Sequence, residues 1–152
     1  MPRFSYSSYI RATPERVFQF HERPDAFALL TPPASGVEIL RRDAGLHVGA
    51  ETLVRVPLVP LGKGLMRVDW LARHTRYEPP RMFADEQVYG PFAVWRHEHI
   101  MEAEMEGTRL RDEIEFVLPG GWLVNLFGGP FVKLQLQNMF AFRHMMTKKY
   151  CE

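Results

Sequence analysis

The fold turns on residues 93–118, "AVWRHEHIMEAEMEGTRLRDEIEFVL". From Val94 to Met101, Trp95, His97, His99 and Met101 occupy alternate positions, with Arg96 and Glu98 between them. Period-two alternation is the mark of a strand with one buried face. "TRLRDEIEFVL" repeats the pattern, and "EG" between the two runs is turn chemistry, so the stretch reads as a β-hairpin. A two-residue turn at Glu106-Gly107 pairs Met105 with Thr108, and sets Met101 opposite Asp112, His99 opposite Ile114 and His97 opposite Phe116. The other face then matches Glu104 with Arg109 and Glu102 with Arg111, opposite charges side by side. That face is the wet one, because a one-residue slip would bury all of its charges.

Upstream, "MFADEQVY" is a further strand, joined through "GPF". A three-residue loop pairs Tyr89 with Ala93, which puts Gln87 opposite Trp95 and Asp85 opposite His97. The expected inner wall is Phe83, Asp85, Gln87, Trp95, His97, His99, Met101, Leu110, Asp112, Ile114 and Phe116. Met66, Val68, Trp70, Ala72 and His74 join it from "LMRVDWLARHTRY". Buried polar groups require partners. A packed apolar core has no use for Asp85, His97, His99 and Asp112, whereas a ligand cavity does.

Earlier in the chain, "RFSYSSYIRA" is a strand, "TPERVFQF" a helix capped by Thr13 with Pro14 in its first turn, and "PDAFALL" a second short helix ended by Pro32-Pro33. "VEILRR" and "AETLVRVPL" are two more strands. From Pro130 onward, "PFVKLQLQNMFAFRHMMTKKY" is a long helix whose Leu136, Met139, Phe140 and Met146 recur at helical spacing. The order strand, two short helices, six strands, long helix implies an α+β domain spanning residues 1–152, a helix packed on one face of an antiparallel meander.

The chain has 152 residues, 46% of them hydrophobic and 24% charged, with 19 Lys+Arg against 18 Asp+Glu. That is the composition of one globular domain, and a net charge of +1 carries no electrostatic footprint for nucleic acid. Cys151 is the lone cysteine, which excludes an intrachain disulfide. No apolar run approaches the ~20 residues of a membrane span, and the first residues show no apolar signal core. The expectation is a cytoplasmic protein without stable membrane insertion. "PLVPLGKG" is a loop but not a phosphate loop, since it lacks the G-x-x-x-x-G-K-[ST] spacing.

The element order, with "WLARH", "YEPPRMFADEQVYGPFAVWRHEH" and "GTRLRDEIEFVLPGG", resembles the SRPBCC/START-like helix-grip superfamily over nearly the whole chain. Within it, the sequence is similar to a group of small stand-alone bacterial cyclase/dehydrase-like proteins. The resemblance implies a curved seven-stranded antiparallel sheet wrapped around the C-terminal helix, with a cavity between them. It also implies that "GGWLVNLFGGP", Gly120 to Pro130, is a glycine-flexed approach to the helix near the cavity mouth.

Three uses of the polar cluster compete. In the first, a hydrophobic small molecule (lipid, aromatic or polyketide-like) binds against Trp70, Phe83, Trp95, Met101, Ile114, Phe116, Met139 and Met146, with Asp85, Gln87, His97, His99 and Asp112 fixing its polar end. In the second, the protein is a cofactor-independent cyclase, dehydratase or isomerase, with His97 or His99 as acid/base and Asp85 or Asp112 orienting it. In the third, the cluster is satisfied internally and merely structural. A metal is not expected: His97-x-His99 can chelate one, yet no third ligand stands at short spacing. No other cofactor is expected either. Cys151, near a chain end with no fixed base, reads as incidental, and "WLVNLFGGPF" as a minor candidate for a membrane or partner contact.

Overall fold

The computed structural model describes residues 1–58 and 66–152. Seven strands form one antiparallel sheet: β1 (Arg3–Ile10), β2 (Glu38–Arg42), β3 (Glu51–Pro57), β4 (Arg67–Glu78), β5 (Met82–Tyr89), β6 (Val94–Glu104) and β7 (Gly107–Val117). Their order across the sheet is β1-β7-β6-β5-β4-β3-β2. Between β1 and β2 lie α1 (Pro14–Glu22), the single turn α2 (Ala26–Leu29) and a 3-10 turn (Pro33–Ser35). Thr13 caps α1 by accepting from the Arg16 N–H, with Pro14 in the first turn. The long helix α3 (Trp122–Cys151) closes the chain and packs against β1, β7 and α1. This is the helix-grip α+β architecture. Most of the loop "PLVPLGKG" lies outside the described residues.

Two expectations need correction. Helix α3 begins at Trp122, eight residues before Pro130, so the segment expected as a flexed approach is helical. Pro130 is tolerated inside it, and Trp122, Leu126 and Phe127 stand exposed on its first turns. The second correction concerns the β6–β7 register. Met101 pairs with Leu110, His99 with Asp112 and His97 with Ile114, two residues from the expected alignment.

The cause of the shift is Gly107. It lies in β7 rather than in the turn, and a Cβ there would stand 2.3 Å from the Ile10 carbonyl oxygen. The glycine is needed where β1 and β7 approach, so Met105-Glu106 makes the turn instead, with Met105 at φ 54°. A shift of two keeps every side chain on its expected face. The charges still meet, Arg109 with Glu104 and Arg111 with Glu102.

The β5–β6 pairing sets Asp85 opposite His97, as the "GPF" loop length requires. The outer face carries ion pairs such as Arg96–Glu86 and Arg3–Glu115. Inside, two apolar clusters form. One gathers Phe18, Phe20, Phe83, Met101 and Leu110 beside α1. The other gathers Phe4, Trp95, Ile114, Phe116, Leu136 and Phe140 under α3. Polar side chains occupy the seam between them: Phe83 of the first cluster stacks on His99 at 4.0 Å, and Phe140 of the second meets His97 edge-on at 5.2 Å.

Candidate functional site

At that seam β6 lays His97 and His99 side by side, ring centroids 3.7 Å apart. Both are buried, as is Asp112 across from them on β7. His97 Nε2 lies 2.8 Å from Asp112 Oδ1, and His99 Nδ1 stands 2.9 Å from the same oxygen. The second Asp112 oxygen is 2.6 Å from Nε2 of His144 on α3, whose Nδ1 is 2.6 Å from the Ser8 hydroxyl on β1. Asp112 thus ties β1, β6, β7 and α3 together. On the far side of the two rings, His99 Nε2 is 3.1 Å and His97 Nδ1 is 3.9 Å from Asp85 Oδ2.

Asp85 stands opposite His97 as expected, yet the hydrogen bonds cross: His97 bonds Asp112, and Asp85 bonds His99. Sequence reasoning missed His144. Its signal was available, since it falls one helical turn after Phe140 on the apolar stripe of α3, where a histidine must find a partner.

Charge follows from these contacts. Burial opposes ionisation of Asp112, but the N–H groups of His144, His97 and His99 outweigh it and hold the carboxyl well below the usual carboxylate range. An ionised carboxylate only accepts, so the imidazoles facing it donate. Burial also works against charge on His99, yet Asp112 and Asp85 raise its pKa above the ordinary value. Burial and the neighbouring His99 lower that of His97. His97 is then a neutral ring with its proton on Nε2, which leaves a lone pair on Nδ1. Burial opposes ionisation of Asp85 too, but the hydrogen bond from His99 and the charge on that ring keep it low.

Beside the cluster is a cavity of about 170 Å³ between the sheet, α2 and α3. Trp70, Phe83, Asp85, Trp95, His97, His99 and Met139 are on its walls, along with Ala72 and His74 from the expected inner face. Gln87 is not: its amide closes the β5–β6 loop by bonding both backbone groups of Phe92. Nor are Met101, Ile114 and Phe116, which belong to the packed clusters, while Asp112 stands behind the two histidines. Met66 is exposed. Residues that sequence reasoning left out include His21, Phe27, Leu30, Phe140 and Arg143. His21 and Phe27 come from the short helices, whose docking no periodicity reveals.

Two cavity-wall donors are orphaned. Trp70 Nε1 and Arg143 Nε are buried without a hydrogen-bond partner among the described residues. The Arg143 guanidinium sits over the Phe27 and Phe140 rings, 5.4 and 5.5 Å from their centroids. Two acceptors face the same space: His21 and His74 donate Nδ1–H to the Val17 and Ala50 carbonyls, and burial lowers both pKa values, that of His21 to about 4. Their Nε2 atoms then carry lone pairs.

A sheet gripping a long helix over a mainly apolar cavity with embedded polar groups defines a helix-grip protein. More narrowly, the chain belongs to the polyketide cyclase/dehydrase and lipid transport family, whose model matches residues 10–142. Solved structures agree on the fold. TTHA0849 from Thermus thermophilus is 19% identical, covers 99% of this chain and 100% of its own, and superposes with a TM-score of 0.71. The crystal structure of Ara h 8.0201 is 16% identical over 98% of this chain and 96% of that one, with a TM-score of 0.65. Part of a nucleoside-diphosphate sugar epimerase from Corynebacterium glutamicum is 24% identical, with a TM-score of 0.73 over 96% of this chain but only 28% of the epimerase. No curated protein matches in sequence. Among the described residues no helix is long and apolar enough to cross a membrane.

Proposed function

We propose that the protein binds a compact, mainly apolar molecule bearing a carbonyl or carboxylate group, ring first, in the cavity between sheet and helix. Trp95, Phe83, Met139 and Phe140 give the apolar walls, and His97, His99 and Asp85 the polar floor. The orphaned Trp70 and Arg143 donors carry this reading: a buried N–H left unmade costs about 1–3 kcal/mol, and an oxygen on the guest removes that cost.

Size narrows the ligand. An apolar cavity of roughly 150 Å³ admits benzene, whereas drug-sized guests occupy about 300–1,000 Å³. At about 170 Å³ the space suits a single ring. Multi-ring polyketides and long acyl chains enter only if wall side chains move aside.

Titration with toluene and benzoate tests the proposal. Removing ~150 Å² of ring surface from water contributes about 4 kcal/mol, which sets toluene near the millimolar range. A charge-assisted hydrogen bond adds about 1.5–3 kcal/mol, so benzoate binds ~10- to 100-fold more tightly. Arg143→Met, which keeps the apolar stem, abolishes that preference, and Ala72→Phe, which fills the space, abolishes both. Equal affinity of the two probes, or binding that survives Ala72→Phe in a folded protein, would refute the assignment.

A further inference from the structure

The two imidazoles lie between two carboxylates, and the two sides are unequal. Asp112 meets three ring nitrogens within 2.9 Å. Asp85, its side chain 15% exposed, accepts one hydrogen bond, of 3.1 Å, from His99. Around Asp85 Oδ2 stand His97 Nδ1 at 3.9 Å and His99 Nε2 at 3.1 Å, and the three residues each offer a ligand atom within 4.8 Å of the other two. Ligands bound at about 2.0–2.1 Å in a tetrahedron sit roughly 3.3–3.4 Å apart. The observed separations bracket that value, so modest side-chain adjustments close the set. The short sequence spacing supplied only two ligands. The β5–β6 register supplies the third, by placing Asp85 directly across from His97.

From this geometry we infer that Asp85, His97 and His99 form a binding site for a divalent transition-metal ion, Zn²⁺ or Fe²⁺ in class. Two further features match what such a site requires. Metal-bound histidines hand their remote N–H to a carboxylate, which fixes ring orientation and tautomer. Here His97 Nε2 bonds Asp112, itself anchored by His144, and His99 Nδ1 lies 2.9 Å from the same carboxylate. A functional site also keeps coordination positions open, and all three ligands line the cavity, so the free positions face the guest. Two histidines and one carboxylate with vacant positions is the donor set of catalytic zinc and non-haem iron centres. The inference stands whether or not the aromatic guest proposed above is correct.

Co²⁺ is the first probe, because its visible spectrum reports coordination number and ligand type. Chelator-stripped protein takes up one equivalent of Co²⁺ with the absorption of a four- or five-coordinate nitrogen/oxygen site, and one equivalent of Zn²⁺ displaces it. Asp85→Asn, which keeps the shape of the side chain, weakens Zn²⁺ at least about a hundredfold, and Asp112→Asn, which disturbs only the support, weakens it ~10- to 100-fold. A wild-type measurement covers the case in which the variants fail to fold: ¹⁵N resonances of the histidine rings. Zn²⁺ moves Nδ1 of His97 and Nε2 of His99 and leaves the exposed His47 unchanged. Absence of a stoichiometric site, affinity unchanged in folded Asp85→Asn, or shifts confined to His47 would overturn the inference.

Discussion

Replacing Asp112 by Asn tests the polar seam most severely. The carboxylate is 4% exposed and receives His97, His99 and His144 at 2.8, 2.9 and 2.6 Å. An asparagine is nearly isosteric, so packing is preserved and the electrostatics change alone. Its carbonyl oxygen can serve one side of the cluster, while its NH2 turns a donor toward another N–H. At least one hydrogen bond to a charged group is lost, worth about 1.5–3 kcal/mol. Removing one partner of a buried ion pair costs up to about 3–5 kcal/mol, because only Asp85 is left to balance the charge on His99. These two descriptions overlap and do not add, so the expected total is about 3–5 kcal/mol. Against a typical stability of ~5–15 kcal/mol that is a large share. At about 2–4 °C per kcal/mol for a domain of this length, Tm falls by roughly 6–20 °C. Urea unfolding followed by circular dichroism measures the change, with Glu113→Gln on the wet face as a control expected within ~0.5 kcal/mol. A loss below about 1 kcal/mol with an unchanged m-value would refute the claim that Asp112 holds the seam together.

Other outcomes follow from the same structure. His21 is buried and faces His99, Asp112 and His144, and its pKa is lowered from the ordinary 6.5 to about 4. A depressed folded-state value means that its contribution is complete above pH 6.5 and is lost as pH falls toward 4. The loss amounts to at most about 3 kcal/mol, and His21→Leu flattens that part of the pH–stability curve. Phe140→Ala empties a site 1% exposed and costs about 3–5 kcal/mol in denaturant titrations, while enlarging the cavity so that two-ring guests bind. Gly107→Ala drives a methyl group into the Ile10 carbonyl, which cannot yield as a side chain does. It costs about 1–3 kcal/mol, with faster amide exchange along β1 as the signature. The Cys151 thiol, pushed up to about 11 by burial, reacts with Ellman's reagent far more slowly at mildly alkaline pH than a free thiol does.

The strands were legible because period-two alternation and turn residues are local signals, and the charged outer face left one orientation for β6 and β7. The two-residue slip at their turn was not legible. It depends on how closely β1 approaches Gly107, a contact between segments far apart in the chain. The start of α3 was misplaced because Gly128, Gly129 and Pro130 look like a boundary locally. Candidate site residues on the sheet could be named from alternation alone. Those on α2 and α3, Phe27, Arg143 and His144 among them, face the same region only because the helix is gripped. Gln87 shows the converse: a polar side chain on the correct face, consumed by its own loop.

A guest entering the seam between sheet and α3 is the central claim. Intermolecular nuclear Overhauser contacts from saturating benzoate locate that guest most directly. Contacts are expected to the rings of Trp95 and Phe140 and to the Met139 methyl group, which line the cavity. Contacts confined to the exposed Trp122 and Phe127 of α3, or no saturable binding at all, would contradict it.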